Sequence, residues 1–394
     1  LKGRARYDCH GYPASSCEIT HREEKKYCAE CPYLKARDKA VKAKVGIFNF
    51  HSYMFNRAYK ETLFIDEAHN LMGMIAEFYT LRIWRHKTWY PQMNNKEEVA
   101  LFLEGEIVRQ KAEIKRNTAW TPKKKQLAHN TLEKFRKVHE AVDSNPADFF
   151  VNQRMSLYRG KQQPMLEILP LNIKKVRHGL WPRTKVKKII LSSATLKAID
   201  VDELGLGDRN ILFLDCKSPI DAEQRPFVFE PVANMSFKYQ EKNAPKMADY
   251  INMLAKRHHD CKGIIHMPYG MTGLFRKHLR GDRFLWHNKL NKEDKLAEFL
   301  GESRPKVLIA SGMDQGLDLA GVEFGWQVIA KVQYPSLGDP VVNSQAKDNP
   351  KWYAWQTIRV IEQQYGRICR GPADYGITYM LDMSFRNLDP ERGN

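Results

Sequence analysis

The fold is decided by one stretch of the sequence, Thr62-Leu63-Phe64-Ile65-Asp66-Glu67-Ala68-His69. Its first half is a short apolar run with branched and aromatic residues, which predicts a buried parallel strand. The run stops at two adjacent acids, so Asp66 and Glu67 should lie at the carboxyl end of that strand. There Asp66 could hold the water shell of a Mg²⁺ ion on a nucleotide, and Glu67 could orient an attacking water. Taken alone, the pair is equally compatible with a solvated acidic strand end.

Outward from this strand the sequence alternates between helical and extended patterns. Residues 79–163 are basic and repeat apolar positions at helical spacing, at Val99, Leu103 and Ile107 and again at Leu132, Phe135, Val138 and Val142. Strand-like runs follow at residues 165–169 and 188–191, and a second series lies beyond Pro219, at residues 263–267, 307–310 and 328–330. Strands that alternate with helices predict a parallel α/β sheet.

Two further loops follow predicted strands. The sequence Leu191-Ser192-Ser193-Ala194-Thr195-Leu196 places the hydroxyls of Ser193 and Thr195 at a strand end, where they could bind acids or phosphates or simply cap a helix. Residues 310–321 form a glycine-punctuated turn that contains Gly316 and Asp318. Such a turn permits close approach of a phosphate backbone, although it is by itself an ordinary loop.

A pair of arginines lies near the C-terminal end, in Gln363-Gln364-Tyr365-Gly366-Arg367-Ile368-Cys369-Arg370. Their spacing predicts that Arg367 and Arg370 share one helical face. Planar guanidinium groups are suited to a phosphate on which negative charge builds up. The alternative is a solvated basic face.

Four of the seven cysteines are concentrated near the N-terminal end, at Cys9, Cys17, Cys28 and Cys31. Residues 1–44 show no sustained apolar period, which predicts a small domain held by a metal rather than by a core. Four thiolates can hold a tetrahedral Zn²⁺ or an iron-sulfur cluster, and the spacing does not separate the two.

The charge balance predicts a polyanionic partner. Lys and Arg number 64 against 46 Asp and Glu, a net charge of +18, which favours nucleic acid over an anionic membrane surface. The residues Lys123, Lys124 and Lys125 are candidate DNA contacts, and Tyr269 and Tyr334 are candidate stacking platforms. No apolar run approaches the roughly 18 residues of a membrane span, so we expect a soluble intracellular protein, in the cytoplasm, nucleoid or nucleus or encoded by a virus.

The order of these motifs resembles that of superfamily 2 helicases, because Asp-Glu-Ala-His is followed by Ser-Ala-Thr, the Gly-Leu-Asp loop and Gln-x-x-Gly-Arg-x-x-Arg. The cysteine region and the long gap between His69 and Ser193 make the chain similar to the XPD and DinG branch, the iron-sulfur DNA helicases. Leu1-Lys2-Gly3-Arg4 before Cys9, and Asn49-Phe50-His51-Ser52-Tyr53, also resemble segments of that branch.

The resemblance implies an α/β fold of two RecA-like helicase domains, the first interrupted by a cysteine-rich iron-sulfur domain and a helical arch. The expected domains are residues 1–45 for the iron-sulfur domain, 46–78 and 163–217 for helicase domain 1, 79–162 for the arch and 218–394 for helicase domain 2. The implied function is ATP-dependent translocation on single-stranded DNA and unwinding of forked DNA, 5′ to 3′, by a monomer.

The resemblance also implies roles for individual residues. The catalytic residues would be Asp66, Glu67, His69, Gln363, Arg367 and Arg370, with ATP and Mg²⁺ as ligands. Ser193, Thr195, Gly316 and Asp318 would couple the nucleotide to DNA. A 4Fe-4S cluster, with zinc as the alternative, would be bound by Cys9, Cys17, Cys28 and Cys31.

One departure from the family pattern concerns the phosphate-binding loop. The 394 residues contain no Gly-x-x-x-x-Gly-Lys-Ser/Thr sequence, and Gly160-Lys161 lacks the required spacing. We expect such a segment to precede Leu1 in the natural protein. The alternatives are an ATPase-inactive relative that only binds DNA, and an RNA helicase of the Asp-Glu-Ala-His type.

Overall fold

The computed structural model describes residues 7–9, 12–16, 31–56, 58–93, 96–120, 122–158, 160–176, 181, 184–313, 319 and 324–388. The chain divides into two compact units, residues 1–211 and residues 212–394. Each unit has its own sheets and its own hydrophobic core.

The first unit mixes helices with short and long strands. Its helices are α1 (Pro32–Lys42), α2 (Phe50–Asn56), α3 (Leu71–Tyr79), α4 (Lys96–Arg116), α5 (Pro122–Ser144), α6 (Ile173–Val176) and α7 (Ala198–Glu203). Its strands are β1 (Asp8–Cys9), β2 (Tyr12–Ser16), β3 (Thr62–Ile65), β4 (Leu81–Trp84), β5 (Phe149–Tyr158), β6 (Lys161–Pro170) and β7 (Lys188–Leu191).

These strands form three separate sheets. β3 and β7 pair in parallel, β1 and β2 pair antiparallel, and a third, antiparallel sheet has the order β4-β6-β5. The predicted strand at residues 165–169 is confirmed as part of β6. We expected it in the first helicase domain, but its partners are β4 and β5, and the sequence prediction contained no antiparallel sheet.

Helices α4 and α5 cover one face of the antiparallel sheet. Val99 and Leu103 of α4 lie in the same buried cluster as Leu132 of α5 and as Leu166 and Ile168 of β6. The predicted helical periodicity is therefore confirmed, because the repeated apolar positions form a continuous stripe that faces the sheet.

The second unit alternates strands and helices along the chain. Its strands are β8 (Phe227–Ala233), β9 (Lys262–His266), β10 (Phe284–Leu285), β11 (Val307–Ala310), β12 (Phe324–Ile329) and β13 (Ile377–Asp382). Its helices are α8 (Gln240–Arg257), α9 (Tyr269–Arg276), α10 (Lys292–Gly301), α11 (Pro340–Asp348) and α12 (Pro350–Tyr365).

All six strands pair in parallel in the order β10-β11-β9-β12-β13-β8, which confirms the predicted parallel α/β sheet. Every residue of β9 and β11 is buried, as expected for strands that are covered on both faces. Gly263 permits the tightest contact of this sheet: a Cβ atom there would lie 2.3 Å from the ring of Trp326 on the neighbouring strand β12.

Two successive helices lead to the arginine pair. Asp339 caps α11 by accepting hydrogen bonds from the backbone N–H groups of Val341 and Val342, and Asn349 caps α12 through the N–H of Trp352. A proline occupies the first position of both helices, where its missing N–H costs no hydrogen bond. α12 ends at Tyr365, followed by Gly366.

Candidate nucleotide and nucleic-acid sites

The parallel pairing of β3 with β7 brings two predicted motifs together in the first unit. Ile65 lies opposite Leu191, so the loops that follow the two strands leave the same edge of the sheet. The Ser192 N–H donates to the Ile65 carbonyl at 2.9 Å, and the Ala68 N–H donates to the Ser192 carbonyl at 3.0 Å. These bonds join the acidic loop to the hydroxyl loop.

His69 connects the side chains of the two loops. Its Nδ1 lies 2.7 Å from Oγ of Ser193 and 3.3 Å from Oε2 of Glu67, and its ring is almost fully buried. Oγ of Ser193 also accepts the Thr195 N–H at 3.1 Å. A movement of the Glu67 carboxylate can therefore be transmitted through His69 to the Ser193–Thr195 turn.

The two carboxylates of this site are exposed to solvent. Oδ1 of Asp66 accepts the Glu67 N–H at 2.9 Å, and the Glu67 side chain is 66% exposed. Glu67 has φ 49° and ψ 43°, and among the described residues it is the one non-glycine residue with a positive φ. A left-handed conformation costs energy in such a residue and is concentrated at functional sites. No sequence pattern predicted this conformation of Glu67.

The arginine pair of the second unit does not share a helical face, so that prediction is wrong. α12 ends at Tyr365 and Gly366 terminates it, which places Arg367 and Arg370 in the following turn. Arg367 is buried and Arg370 is exposed. Gln363 remains on the helix and is half-buried.

An acid that the sequence analysis missed shapes this turn. Oδ2 of Asp374 accepts the backbone N–H groups of Arg370 at 2.8 Å and Gly371 at 2.7 Å. Its signal was available, because Gly371-Pro372-Ala373-Asp374 has the composition of a turn.

A buried polar network fixes the end of α12 to the sheet. Nε2 of His266 lies 3.1 Å from Oε1 of Gln327, whose Nε2 donates to Oγ1 of Thr378 and to the Tyr365 carbonyl at 2.8 and 3.0 Å. His266, Gln327 and Thr378 are fully buried. A buried glutamine whose amide oxygen and nitrogen are both hydrogen-bonded specifies the position of its partners. Here one partner is Tyr365, two residues before Arg367.

The candidate platform Tyr269 lies beyond the end of β9, in the second unit. Its hydroxyl is 3.4 Å from Nδ1 of His287, whose Nε2 accepts the Ser311 N–H at 3.3 Å. Gly312 has φ +59°, and a Cβ there would lie 2.9 Å from the Tyr269 ring. The ring is therefore held beside the loop that follows β11. Gly316 and Asp318 of that loop lie outside the described residues.

Tyr334, the second candidate platform, is packed into the protein. Its ring stacks on Tyr353 at a centroid distance of 6.0 Å, and burial raises the pKa of its phenol. It is one of the residues packed against the cluster formed by Ile329, Val332, Ile361 and Met380. This packing favours a structural role for Tyr334 over base stacking.

Of the four cysteines, only Cys31 has a described side chain. It is buried next to Tyr7 and Tyr33 at the start of α1, and Cys9 lies in β1. Cys17 and Cys28 lie outside the described residues. Within the part of the chain that the structure describes, no group of three or more His, Cys, Asp or Glu residues could hold a metal ion.

In the predicted basic segment, the structure describes one lysine side chain. Lys124 is exposed and its ammonium group lies 4.5 Å from the centre of the Trp120 ring, while the side chains of Lys123 and Lys125 are not among those described. No described helix is long and apolar enough to cross a membrane.

Comparison with known proteins agrees with this architecture. Residues 257–392 match the family model of the helicase C-terminal domain. The structure of Xpd4 from S. tokodaii is 16% identical, with a TM-score of 0.50 over 92% of this chain and 78% of that chain. An apo XPD structure is 15% identical, with a TM-score of 0.58 over 92% of this chain and 82% of that chain.

A structure described as an XPD helicase is 16% identical, with a TM-score of 0.56 over 92% of this chain and 75% of that chain. No curated protein matches the chain in sequence. The resemblance that the order of the motifs predicted is therefore confirmed: the chain has the fold of the XPD helicases, and its residues 257–392 have the sequence of a helicase C-terminal domain.

Proposed function

We propose that this chain acts as an ATP-driven DNA helicase that translocates on single-stranded DNA and opens forks, with 5′ to 3′ polarity. The observation that carries the proposal is the contact of His69 with both Glu67 and Ser193. It joins an acidic pair suited to ATP hydrolysis to a hydroxyl turn that follows a neighbouring parallel strand. A solvated acidic strand end requires no such connection.

The exposed carboxylates have separate roles in this proposal. Asp66 holds the water shell of the Mg²⁺ ion that arrives with ATP, and Glu67 accepts a proton from the attacking water and orients it. The left-handed backbone of Glu67 turns its carboxylate back toward His69. After hydrolysis, loss of the γ-phosphate alters the charge beside Glu67. Because His69 contacts both Glu67 and Ser193, it transmits this change to Ser193 and Thr195.

The second unit supplies the cationic groups and a DNA contact. Arg370 is exposed and its backbone is fixed by Asp374, and we assign its guanidinium the contact with the phosphate on which charge builds. Arg367 is buried just after the Gln327 network, and we assign it the complementary role of holding this turn in place. Tyr269, beside the loop after β11, stacks on a base of the single strand.

The four cysteines Cys9, Cys17, Cys28 and Cys31 would hold a 4Fe-4S cluster that fixes the fold of the first 45 residues. Four thiolates suit this cluster, and the described Cys31 is buried, as a structural ligand should be. The purified protein should contain iron and acid-labile sulfide. Zinc without sulfide would contradict the cluster and leave the helicase proposal intact.

The proposal is tested by ATP hydrolysis of the full natural protein that contains these 394 residues, with and without single-stranded DNA. Glu67→Gln should lower the DNA-stimulated rate at least about 100-fold, because it removes the group that accepts the proton. Glu61→Gln is the matched control, since Glu61 precedes the same strand and pairs on the surface with Lys187. Its rate should be unchanged.

Three results would contradict parts of the proposal. DNA binding without any hydrolysis would identify an ATPase-inactive DNA-binding relative. Greater stimulation by RNA than by DNA would identify an RNA helicase. Unwinding of a duplex with a 3′ tail and not of one with a 5′ tail would reverse the polarity.

A further inference from the structure

The antiparallel sheet β4-β6-β5 has one covered face and one face that carries aromatic and basic side chains. Alternate residues point to opposite faces of a strand. Leu81, Ile83, Leu166 and Ile168 face the core that contains α4 and α5. The residues between them, including Arg82, Trp84 and Glu167, therefore face the other way, and we call this surface the open face. On it the central strand β6 is itself buried at Met165, Glu167 and Leu169, so the accessible side chains belong to the outer strands β4 and β5.

One end of the open face is an aromatic cluster. The rings of Trp84 and Tyr158 are 4.9 Å apart, and the rings of His86 and Tyr158 are 4.7 Å apart. The ammonium group of Lys87 lies 4.7 Å from the centre of the Tyr158 ring. Trp84 and Tyr158 are half-buried, and His86 and Lys87 are exposed. The cluster therefore presents aromatic surface to solvent beside a positive charge.

The middle of the open face carries two arginines with a common anchor. The carboxylate of Glu167, on β6, binds Arg82 at 2.7 Å on one side and Arg154 at 3.0 Å on the other. The arginine side chains remain 41% and 50% exposed, while that of Glu167 is 6% exposed. Arg82 also donates to both carboxylate oxygens of Glu77, at 2.8 and 3.1 Å. Glu167 thus fixes the direction of both guanidinium groups, and Arg154 keeps more of its N–H groups for an anion in solution than Arg82 does.

We propose that the open face binds a single-stranded segment of the DNA, with a base stacked on the cluster of Trp84 and Tyr158 and phosphates on Arg82, Arg154 and Lys87. Aromatic rings that are partly accessible to solvent, beside fixed cations on a sheet face, are the features with which proteins bind unpaired bases and their backbone. Duplex DNA fits less well, because its bases are already stacked. An acidic protein segment would use the arginines and leave the aromatic cluster without a role.

This inference rests on the proposed function, because it adds a second contact for the same DNA on a sheet separate from β3 and β7. None of the helicase motifs lies on the open face. The site would hold the single-stranded DNA outside the ATP-driven part of the chain. This second, linked contact would increase the affinity of the protein for DNA.

Binding of fluorescently labelled oligo(dT) to the full natural protein provides the test. The double variant Trp84→Ala, Tyr158→Ala should weaken binding at least about fivefold, since one stacked base contributes roughly 1 to 3 kcal/mol. The variant Trp84→Phe, Tyr158→Phe should retain most of the affinity. The control is Leu157→Ala, because Leu157 is 65% exposed on the same strand and points away from the open face.

A second measurement does not depend on the core of the sheet. Lys87→Gln should reduce the slope of log Kd against log salt concentration by about 0.7, the value for one phosphate contact on a single strand. Lys111→Gln, at an exposed lysine of α4, should leave the slope unchanged. Oligo(dT) with photoreactive thymidine should cross-link to Trp84 or Tyr158.

The outcomes distinguish the two proposals. Wild-type binding that none of the open-face substitutions alters would overturn the second contact and leave the helicase proposal standing. Failure of the wild-type protein to bind oligo(dT) would overturn both. Binding of a labelled polyglutamate peptide that is lost in Arg154→Gln, in a protein whose oligo(dT) binding is unchanged by that substitution and by the aromatic double variant, would replace DNA by an acidic protein partner.

Discussion

The two parallel sheets of this chain contain strands of similar sequence in different surroundings. In the first unit, β3 pairs only with β7 among the described residues, and Phe64 and Ile190 are 61% and 47% exposed. In the second unit, β9 and β11 lie inside a six-stranded sheet and are fully buried. An apolar run therefore predicts a strand in both units, whereas the number of neighbouring strands determines how much each residue stabilises the fold.

The same contrast applies to the acids that end the strands. Asp66 follows the apolar strand β3, and Asp382 ends the apolar strand β13. Asp66 is exposed and its carboxylate accepts one backbone N–H, from Glu67. Asp382 is 1% exposed and accepts three, from Met235, Val332 and Ser384, each at 3.0 Å. A carboxylate that binds three N–H groups holds the loops together, whereas an exposed one is available to a ligand.

The largest expected effect concerns the ring at the centre of the second sheet. Trp326→Ala should lower the free energy of unfolding of residues 212–394 by about 3 to 5 kcal/mol, because it removes a fully buried ring and leaves a cavity. Hydrogen exchange of β9 and β12 measures the loss. Phe64→Ala, which removes an exposed ring from the first sheet, should cost less than about 1 kcal/mol. Similar losses in both variants would contradict the contrast between the sheets.

The second effect compares the two aspartates through the same isosteric change. Asp382→Asn should destabilise the second unit by about 1 to 3 kcal/mol, because the new amide places an N–H group against backbone donors that lose their charged acceptor. Asp66→Asn should change stability by less than about 0.5 kcal/mol and abolish ATP hydrolysis. Chemical denaturation followed by circular dichroism measures the first quantity. A destabilising Asp66→Asn substitution would assign Asp66 a structural role.

The smallest effect is a dependence of stability on pH in the second unit. Burial lowers the pKa of His258 below its ordinary value of 6.5, the positive charges of Arg257 and Arg283 lower it further, and Asp260 opposes them. The unfolded chain therefore binds the proton more readily. The contribution of His258 is complete above about pH 6.5 and is lost as the pH falls from there through the lowered pKa.

His258 stacks on Trp326 and lies 3.0 Å from the Tyr379 hydroxyl. Protonation of the His258 ring should therefore destabilise the core of the second sheet. The slope of unfolding free energy against pH below about pH 6.5 should decrease in His258→Gln. His259→Gln, at the exposed neighbouring histidine, is the control. An unchanged slope in His258→Gln would show that other groups cause the acid sensitivity.

Much of the secondary structure could be predicted because it depends on local spacing. The predicted strands at residues 62–65, 188–191 and 307–310 coincide with β3, β7 and β11. The predicted burial of residues 62–65 is wrong, because of these four residues only Ile65 is buried. The helical periods of residues 99–107 and 132–142 are confirmed in α4 and α5. Alternation of strands and helices after Pro219 predicted the parallel sheet. Parallel strands need a crossover connection between them, and this connection is usually a helix.

Some features of the candidate sites could also be predicted from local spacing, and others could not. The spacing of the motifs nominated Glu67, His69 and Ser193, and the structure places their side chains in one connected group. The predicted helical face of Arg367 and Arg370 was wrong because α12 ends at Tyr365, before either arginine, whereas a shared helical face requires the helix to continue to Arg370. The contacts of Gln327 could not be predicted, since they join residues that are distant along the chain. Those of Asp374 lie within one turn, whose composition was a usable signal.

The classes of element, the motif order and the identity of the acids and hydroxyls can be read from the amino-acid sequence, because each depends on residues close together in the chain. Folding in three dimensions places β6 in an antiparallel sheet and Trp84 against Tyr158. It also leaves Asp66 exposed while Asp382 is buried and accepts three N–H groups. Burial, hydrogen-bond partners and strand neighbours are set by segments distant along the chain. The physical environment of a side chain, and hence its chemistry, follows from those distant segments.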